Sequence, residues 1–282
     1  MNNLLAIRDL TATDLAQILA LAEQPLGARP LSEKGVALYF EKPSVRTRNS
    51  MEIATTQLGG HPVYLQPAEI GIGSRESVAD VTRTLACYHA IIAARVFDHG
   101  LLGEMASIGA APVINMLSAT DHPLQALADL LTIKQHMGRL EGVRVACIGE
   151  GNNVARSLAE GCALAGAEFV IASPQGHGLD GHDNLSPDEA VAGADIVYTD
   201  VWVSMGGEDS TERRALFAPF QVDERLMARA PDAWFMHCLP ARRGEEVTAS
   251  VIDGPRSAVW RQAANRMHSA RGAMLWLMED AQ

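Results

Sequence analysis

The stretch that decides the fold class is residues 35–48, GVALYFEKPSVRTR. Its first six residues, Gly35–Phe40, are the kind of apolar run that forms a buried β-strand. Ser44 then stands at a typical N-cap position before an amphipathic segment, so the stretch predicts strand, turn and helix. A first helical turn offers unpaired N–H groups, and Arg46 and Thr47 add a charged donor and a hydroxyl. This combination suits a phosphate dianion, although an arginine-rich, solvated helix start would look similar.

The alternation of strand and helix continues on both sides of this stretch. Further strands are predicted at residues 62–65, 91–95, 112–116, 143–148, 168–172, 195–200 and 233–237. Amphipathic segments between them predict helices, so the fold class is α/β with two domains, each a mostly parallel sheet with helices on both faces. We place a first domain at 1–133 and a second at 134–261, with a C-terminal helix at about 262–282 packing back on the first.

Composition limits the possible partners and compartments. The 282 residues are enough for two domains, and the net charge of −11 disfavours nucleic acid or an anionic membrane as a partner. The four cysteines lack both CxxC spacing and the density of a disulfide scaffold, which favours a reducing compartment. With no evident leader and no apolar stretch long enough to cross a bilayer, we expect a cytoplasmic protein.

Polar residues follow the predicted strands at the ends where ligands of parallel sheets gather. In the first half, Arg95 closes one strand, Ser44 and Arg46 follow another, and His122 follows a third. Taken singly, His122 would more often be structural, and Cys238 would more often be buried and inert. Together, the arginines, hydroxyls, His and Gln of the first half suit an anionic phosphate with a polarised carbonyl. Since the Asn, Asp, Ser and Cys of the second half suit an amine, we expect two substrates, one for each domain.

Two other signals are weak. The turn Gly149–Asn153 resembles part of a dinucleotide fingerprint, but Val154 occupies the position of the third glycine, so a dehydrogenase is poorly supported. Residues 175–186 contain His177 and His182 among glycines and aspartates. A solvated loop explains this segment better than a metal site.

Four segments together resemble the motifs of the carbamoyltransferase family, specifically its ornithine carbamoyltransferases. They are Phe40–Arg48 (FEKPSVRTR), His122–Asp129 (HPLQALAD), Asp200–Gly206 (DVWVSMG) and His237–Pro240 (HCLP). The resemblance implies transfer of the carbamoyl group of carbamoyl phosphate to the δ-amine of L-ornithine, which gives L-citrulline and phosphate in arginine biosynthesis. It also implies a homotrimer or a multiple of trimers, and no metal or other cofactor.

The resemblance also implies a role for each matching residue. Carbamoyl phosphate would be bound by Ser44, Val45, Arg46, Thr47, Arg95, His122, Gln125, Arg266 and the backbone of Cys238 and Leu239. Ornithine would be bound by Asn153, Asp200, Ser204 and Met205. The catalytic group would be Arg46, Thr47, His122 and Cys238. Asp200 and Cys238 would orient the δ-amine, and the departing phosphate would accept its proton.

Three departures from the family pattern leave alternatives open. Val45 replaces the usual Thr, Gly71 replaces a His or Gln that in some relatives reaches the neighbouring subunit's phosphate, and residues 174–192 form a shorter segment than usual. We expect this segment to lack a helix and an edge strand, and Ser74 or Arg75 to replace the cross-subunit contact. The alternatives are a carbamoyltransferase for another amine, such as putrescine or N-acylornithine, and a low-activity or non-catalytic paralogue.

Overall fold

The computed structural model describes residues 1–27, 29–203 and 210–279. The chain divides into two compact units, one formed by Met1–Ala128 with Asn265–Gln282 and the other by Asp129–Ala264. The limits of these units fall inside helices rather than in linkers. The sequence therefore carries no composition change to mark them, and the predicted domain limits stay a prediction.

The first unit is built on a parallel four-stranded sheet in the order β2-β1-β3-β4. Its elements are α1 (Ala12–Glu23), β1 (Gly35–Phe40), α2 (Val45–Gln57), β2 (His61–Leu65), α3 (Pro67–Ile70), α4 (Val78–Ala86), β3 (His89–Arg95), α5 (His99–Ile108), β4 (Val113–Leu117), the beginning of α6 (Pro123–Met137) and the end of α12 (Val259–Glu279). A core of buried apolar side chains, among them Tyr39, Ile92 and Met105, packs α3, α4 and α5 on the strands.

The second unit repeats this architecture with the strand order β6-β5-β7-β8, again all parallel. After α6 its elements are β5 (Arg144–Ile148), α7 (Asn153–Leu164), β6 (Glu168–Ala172), α8 (Pro187–Val191), β7 (Ile196–Thr199), α9 (Thr211–Phe217), α10 (Glu224–Met227), β8 (Trp234–His237), α11 (Ala249–Ile252) and the beginning of α12 (Val259–Glu279). Two parallel sheets surrounded by helices confirm the predicted fold class. None of the described helices is long and apolar enough to cross a membrane.

Within residues 174–192 the structure has the short helix α8, whereas the part between β6 and α8 contains neither a helix nor a strand. Instead, Asn184 closes the exposed edge of β6. Its side-chain oxygen accepts a hydrogen bond from the Ser173 N–H, and its side-chain amide donates to the Ser173 carbonyl, both at 2.8 Å. The Leu185 N–H continues this pairing by donating to the Ile171 carbonyl at 3.0 Å. One amide side chain thus replaces part of an edge strand.

Candidate active site

The start of α2 lies directly after β1 and brings a hydroxyl to the carboxyl end of the first sheet. Ser44 is the N-cap, and its hydroxyl accepts a hydrogen bond from the Thr47 N–H at 3.3 Å. Thr47 is buried, whereas the side chain of Val45 is 75% exposed. The local pattern that predicted this helix therefore also fixes the position of the Thr47 hydroxyl.

Arginines from distant parts of the chain gather at this hydroxyl. The guanidinium of Arg95, at the end of β3, donates to Thr47 Oγ1 at 3.4 Å, and that of Arg266 on α12 donates to the same oxygen at 3.2 Å. Arg266 also donates to the side-chain oxygen of Gln125 on α6. Burial and the positive charges of Arg266 and Arg46 lower the pKa of Arg95 to about 10. Because the guanidinium groups remain charged at neutral pH and repel one another, an anion would stabilise the cluster.

His122 immediately precedes α6 and lies beside the same cations. It is buried, and burial together with the charges of Arg266 and Arg95 holds its pKa well below the ordinary value. The imidazole is therefore neutral at physiological pH, in which state it carries a single N–H donor. Such a donor can polarise a carbonyl oxygen without adding another buried positive charge.

The loop before His122 is fixed by an ion pair. Asp121 is fully buried, and its carboxylate receives two hydrogen bonds from the Arg8 guanidinium, at 2.6 and 3.0 Å. A third comes from the Thr120 hydroxyl at 2.6 Å. Burial raises the pKa of Asp121, but these hydrogen bonds and the Arg8 charge outweigh it, so the pKa lies below the ordinary value. The N-terminal segment thereby anchors the residue adjacent to His122.

In the second unit, Asp200 follows β7 and Cys238 follows β8, at the carboxyl ends of neighbouring strands. The Asp200 carboxylate accepts from the Asn152 side-chain amide at 2.9 Å and from the Val201 N–H at 2.8 Å. The Cys238 thiol donates to the same carboxylate at 3.0 Å. Burial, the Asp200 charge and this hydrogen bond raise the pKa of Cys238 well above the ordinary thiol value. The thiol is therefore a neutral hydrogen-bond donor rather than a thiolate nucleophile.

The backbone after Cys238 is held by the ring of His237. Leu239 has a φ of +59°, and its N–H donates to His237 Nδ1 at 2.8 Å. Since Nδ1 is an acceptor, the ring proton is on Nε2, which lies 3.0 Å from a Glu246 oxygen. Asp200, His237 and Cys238 offer potential metal-ligand atoms within 4.8 Å of one another. Both nitrogens of His237 are already used inside the protein, so the geometry argues against the ring as a metal ligand.

The turn Gly149–Asn153 after β5 has no room for the pyrophosphate of a dinucleotide. A Cβ on Gly151 would lie 2.4 Å from the Gly178 carbonyl oxygen, because the 174–186 loop packs directly against the turn. The first N–H groups of α7 are satisfied by Asn152, whose side-chain oxygen accepts from Val154 at 2.9 Å and Ala155 at 3.0 Å. The space and the donors that a pyrophosphate would use are thus taken by the protein itself.

Each of the two units matches a domain of a known protein family. The carbamoyl-P binding domain of the aspartate/ornithine carbamoyltransferases matches residues 2–135, and the Asp/Orn binding domain of the same family matches residues 141–277. The chain belongs to the aspartate/ornithine carbamoyltransferase family. This confirms the family predicted from the four motifs.

Individual relatives are similar along almost their whole length. The anabolic ornithine carbamoyltransferase of Pyrococcus furiosus is 43% identical, with 98% of this chain and 96% of the relative aligned. The ornithine carbamoyltransferase of Acidothermus cellulolyticus is 44% identical, with 100% of this chain and 98% of the relative aligned. That alignment extends over 305 positions, more than the 282 residues of this chain, so it contains gaps on this chain's side.

Solved carbamoyltransferase structures show the same fold. The ornithine carbamoyltransferase of Pyrococcus furiosus superposes with a TM-score of 0.93 at 42% identity, covering 99% of this chain and 97% of the other. The enzyme of Thermus thermophilus gives a TM-score of 0.91 at 42% identity and 98% coverage of each chain. The short 174–186 segment therefore leaves the family's architecture intact.

Within this carbamoyltransferase fold, the structure groups the predicted site residues by unit. Hydrogen bonds join Thr47, Arg95, Gln125 and Arg266. The positive charge of Arg46 acts on Arg95, and those of Arg95 and Arg266 act on the neutral His122. In the second unit Asp200 and Cys238 are bonded directly. Ser204 and Met205 lie outside the described residues.

Asn152 was not predicted as a site residue, although its neighbour Asn153 was. Asn153 is the first residue of α7, whereas Asn152 is the N-cap and donates to Asp200. The available signal was the position of Asn152 directly after a strand and a glycine turn, where Asn is a preferred cap. Its second role, as a donor to Asp200, depends on the pairing of β5 with β7.

Proposed function

We propose that this protein transfers the carbamoyl group of carbamoyl phosphate to the δ-amine of L-ornithine, giving L-citrulline and phosphate. The observation that carries the proposal is the cluster of Arg46, Arg95 and Arg266 at the start of α2, next to a neutral His122. This cluster combines strong positive charge for a phosphate with an uncharged donor for a carbonyl. The names of the similar proteins support ornithine as the acceptor.

Carbamoyl phosphate would be bound in the first unit through its phosphate group. In this proposal Ser44, Thr47 and the Val45 N–H hold the phosphate at the start of α2, with Arg46 and Arg95 as charged donors. Burial is the largest cause of the lowered pKa of Arg95, and a bound dianion would relieve the repulsion from Arg266 and Arg46 that adds to it. Gln125, together with the Cys238–Leu239 backbone, is assigned to the carbamoyl amide. Arg266 completes the pocket because it already bonds both Thr47 and Gln125.

The reaction needs charge stabilisation more than it needs a dedicated base. The amine nitrogen forms a bond to the carbamoyl carbon, and the bond from that carbon to the phosphate oxygen breaks. Negative charge develops on the carbonyl oxygen, where His122, Arg46 and Thr47 would donate hydrogen bonds. The departing phosphate takes the bonding electron pair and accepts the proton lost by the amine, so atoms and charge balance.

Ornithine would be bound in the second unit through its amino groups and α-carboxylate. Asp200 and the neutral Cys238 thiol are assigned to the δ-amine, and Asn153, Ser204 and Met205 to the α-amino and α-carboxylate groups. Cys238 acts here as a hydrogen-bonding residue, because its pKa is raised by burial and by Asp200. Asn152 supports Asp200 from the turn after β5.

The test is a panel of amines assayed with carbamoyl phosphate, comparing ornithine, putrescine and N-acetylornithine. We expect citrulline to be the main product and the reaction to be abolished by Arg46→Ala. Arg48→Ala is the matched control, because Arg48 lies two residues further along α2, bonds Glu52 at 2.7 Å and stacks on Tyr64. Preference for putrescine or the acylated amine would refute the choice of ornithine. The absence of any carbamoylated product would favour the non-catalytic paralogue.

We extend the proposal to a cytoplasmic homotrimer, or a multiple of trimers, that serves arginine biosynthesis, as the anabolic name of one relative suggests. In such an assembly the loop after α3 would face the neighbouring subunit's phosphate. Gly71 has a φ of +68°, a conformation that a His or Gln would adopt only with strain. Arg75 is exposed and donates to the Glu69 carbonyl at 2.8 Å. If Arg75 supplies the missing contact, Arg75→Ala will raise the KM for carbamoyl phosphate; unchanged kinetics would refute this role.

A further inference from the structure

A buried polar group lies behind Cys238 in the second unit and has no role in the scheme above. Tyr198 on β7, Asp129 on α6 and Gln262 on α12 are all almost fully buried. The Tyr198 hydroxyl donates to one Asp129 oxygen at 3.1 Å, and the Gln262 amide donates to the other at 2.7 Å. Gln262 also accepts a hydrogen bond from the His237 N–H at 2.9 Å, one residue before Cys238.

The hydroxyl of Tyr198 faces two possible acceptors. One is the Asp129 carboxylate, and the other is the sulfur of Cys238, which lies within its hydrogen-bonding reach. A hydroxyl has one proton to donate, and a carboxylate is a much stronger acceptor than a sulfur atom. The proton therefore points to Asp129, and the phenolic oxygen presents a lone pair to Cys238. Since a lone pair cannot stabilise a thiolate, the sulfur keeps its own proton and donates it to Asp200.

We propose that Asp129, acting through Tyr198, is a positioning residue that keeps the Cys238 thiol protonated and turned toward Asp200. Gln262 completes the arrangement by fixing both Asp129 and the end of β8. Only the kinetic consequence of this inference rests on the ornithine site proposed above, because the state of the thiol can be measured without substrate.

The charges around the thiol agree with this geometry. Three groups face Cys238: Tyr198 on β7, Asp200 directly after β7, and Asp129 on α6. The adjacent His237 is hydrogen-bonded to Glu246. Burial comes first among the causes that raise the pKa of Cys238, followed by the charge and hydrogen bond of Asp200, and the Asp129 charge adds to them. A hydrogen bond from Tyr198 to the sulfur acts in the opposite direction and lowers this pKa, which is the effect that turning the Tyr198 proton toward Asp129 removes. In the proposed site a neutral thiol leaves Asp200 as the charged partner of the δ-amine. A thiolate there would add negative charge and stabilise the unreactive ammonium form.

The decisive variant is Asp129→Asn, which keeps the shape of the side chain. The Asn oxygen can still accept from Gln262, but its amide donates to the phenolic oxygen and so turns the Tyr198 proton toward the sulfur. We expect the pKa of Cys238 to fall, and iodoacetamide at fixed pH to label it about tenfold faster for each unit of that fall. The background is Cys87→Ser, since Cys87 is exposed and Cys147 and Cys162 are buried. Peptide mass spectrometry confirms the labelled residue.

Tyr198→Phe separates two effects of Asp129→Asn: the turning of the Tyr198 proton toward the sulfur, and the loss of the Asp129 charge. In the Phe background Asp129→Asn should lower the pKa of Cys238 less, because no hydroxyl remains to be turned. Tyr198→Phe alone should leave the labelling rate nearly unchanged, and this variant tests the inference even if Asp129→Asn does not fold. Equal effects of Asp129→Asn in both backgrounds, or slower labelling of Tyr198→Phe, would overturn the inference.

The kinetic arm follows kcat against pH at saturating ornithine. In Asp129→Asn we expect kcat to fall about tenfold as the pH rises through the lowered thiol pKa, where the original chain shows no such fall. Adding Cys238→Ser should abolish this alkaline fall, which a general loss of structure would not do. Faster labelling without a change in the pH profile of kcat would overturn the placement of ornithine at Cys238. It would still support the effect of Asp129 on the thiol through Tyr198.

Discussion

The carboxyl ends of the two sheets have the same architecture and opposite electrostatics. In the first unit, cations gather at Thr47, and burial together with these charges lowers the pKa of Arg95 and His122. In the second, burial and the carboxylates of Asp200 and Asp129 raise the pKa of Cys238 and Tyr198. The fold supplies the position of the strand ends, and the side chains supply the sign of the charge. One unit is thereby suited to an anion and the other to a cation.

The largest effect is expected from removing one cation of the first unit. Arg266→Met should lower kcat/KM for carbamoyl phosphate about a thousandfold, since Arg266 bonds both Thr47 and Gln125 and a charged hydrogen bond contributes about 1.5–3 kcal/mol. The KM for ornithine should change little. Steady-state kinetics with each substrate varied in turn measures both constants.

Arg261→Met is the control for this comparison, because Arg261 is an exposed arginine on the same helix. It should leave both constants near their original values. A similar loss in Arg261→Met would mean that α12, rather than the guanidinium at Thr47, is responsible.

The corresponding change in the second unit should give the opposite substrate pattern. Asp200→Asn removes the negative charge that accepts from Asn152 and Cys238, so we expect the KM for ornithine to rise about a hundredfold. The KM for carbamoyl phosphate should remain within about twofold, and Asp188→Asn, at an exposed position, is the control. Equal losses for both substrates would contradict the division of the two substrates between the two units.

The sequence predicted those features of the two sheet ends that depend only on neighbouring residues. Apolar runs identified the strands, and Ser44 identified the start of α2, because a strand or a cap depends on neighbouring residues alone. The short helices α3, α8, α9 and α11 were not predicted, since four to seven residues are too few to show a helical period.

The charged clusters depend on contacts between distant positions. Arg266 and Thr47 are separated by 219 residues, and Gln262 and Asp129 by 133. The motif resemblance supplied Arg266, but it gave no role to Asp129 and did not single out Tyr198 or Gln262. Buried polar residues on a helix or strand look ordinary in the sequence. Their function becomes visible when the fold shows which partner each one faces.

The neutral state of His122 can be tested through stability. The unfolded chain binds a proton at His122 near the ordinary pKa, whereas the folded protein does so only at lower pH. Acidification below about pH 6.5 therefore favours the unfolded state, so the contribution of this histidine should lower the free energy of unfolding between about pH 7.5 and about pH 5.5. Urea unfolding of the original chain and of His122→Gln at both pH values isolates the contribution. An equal loss in both proteins would show that His122 is charged in the folded state.

The smallest effect concerns an edge of the second sheet, away from the charged residues. Asn184→Ala removes two hydrogen bonds to Ser173 and should lower the free energy of unfolding by about 1–2 kcal/mol, measured by urea unfolding. Asp183→Ala is the matched control, because Asp183 is the exposed neighbour of Asn184 in the same loop. Turnover of ornithine by Asn184→Ala should be unchanged, since edge pairing at β6 is separate from the bonds that hold Asp200 and Cys238. If turnover fell together with stability, the shortened loop would contribute to the cation site, and the contrast between the units would depend on more than side-chain charge.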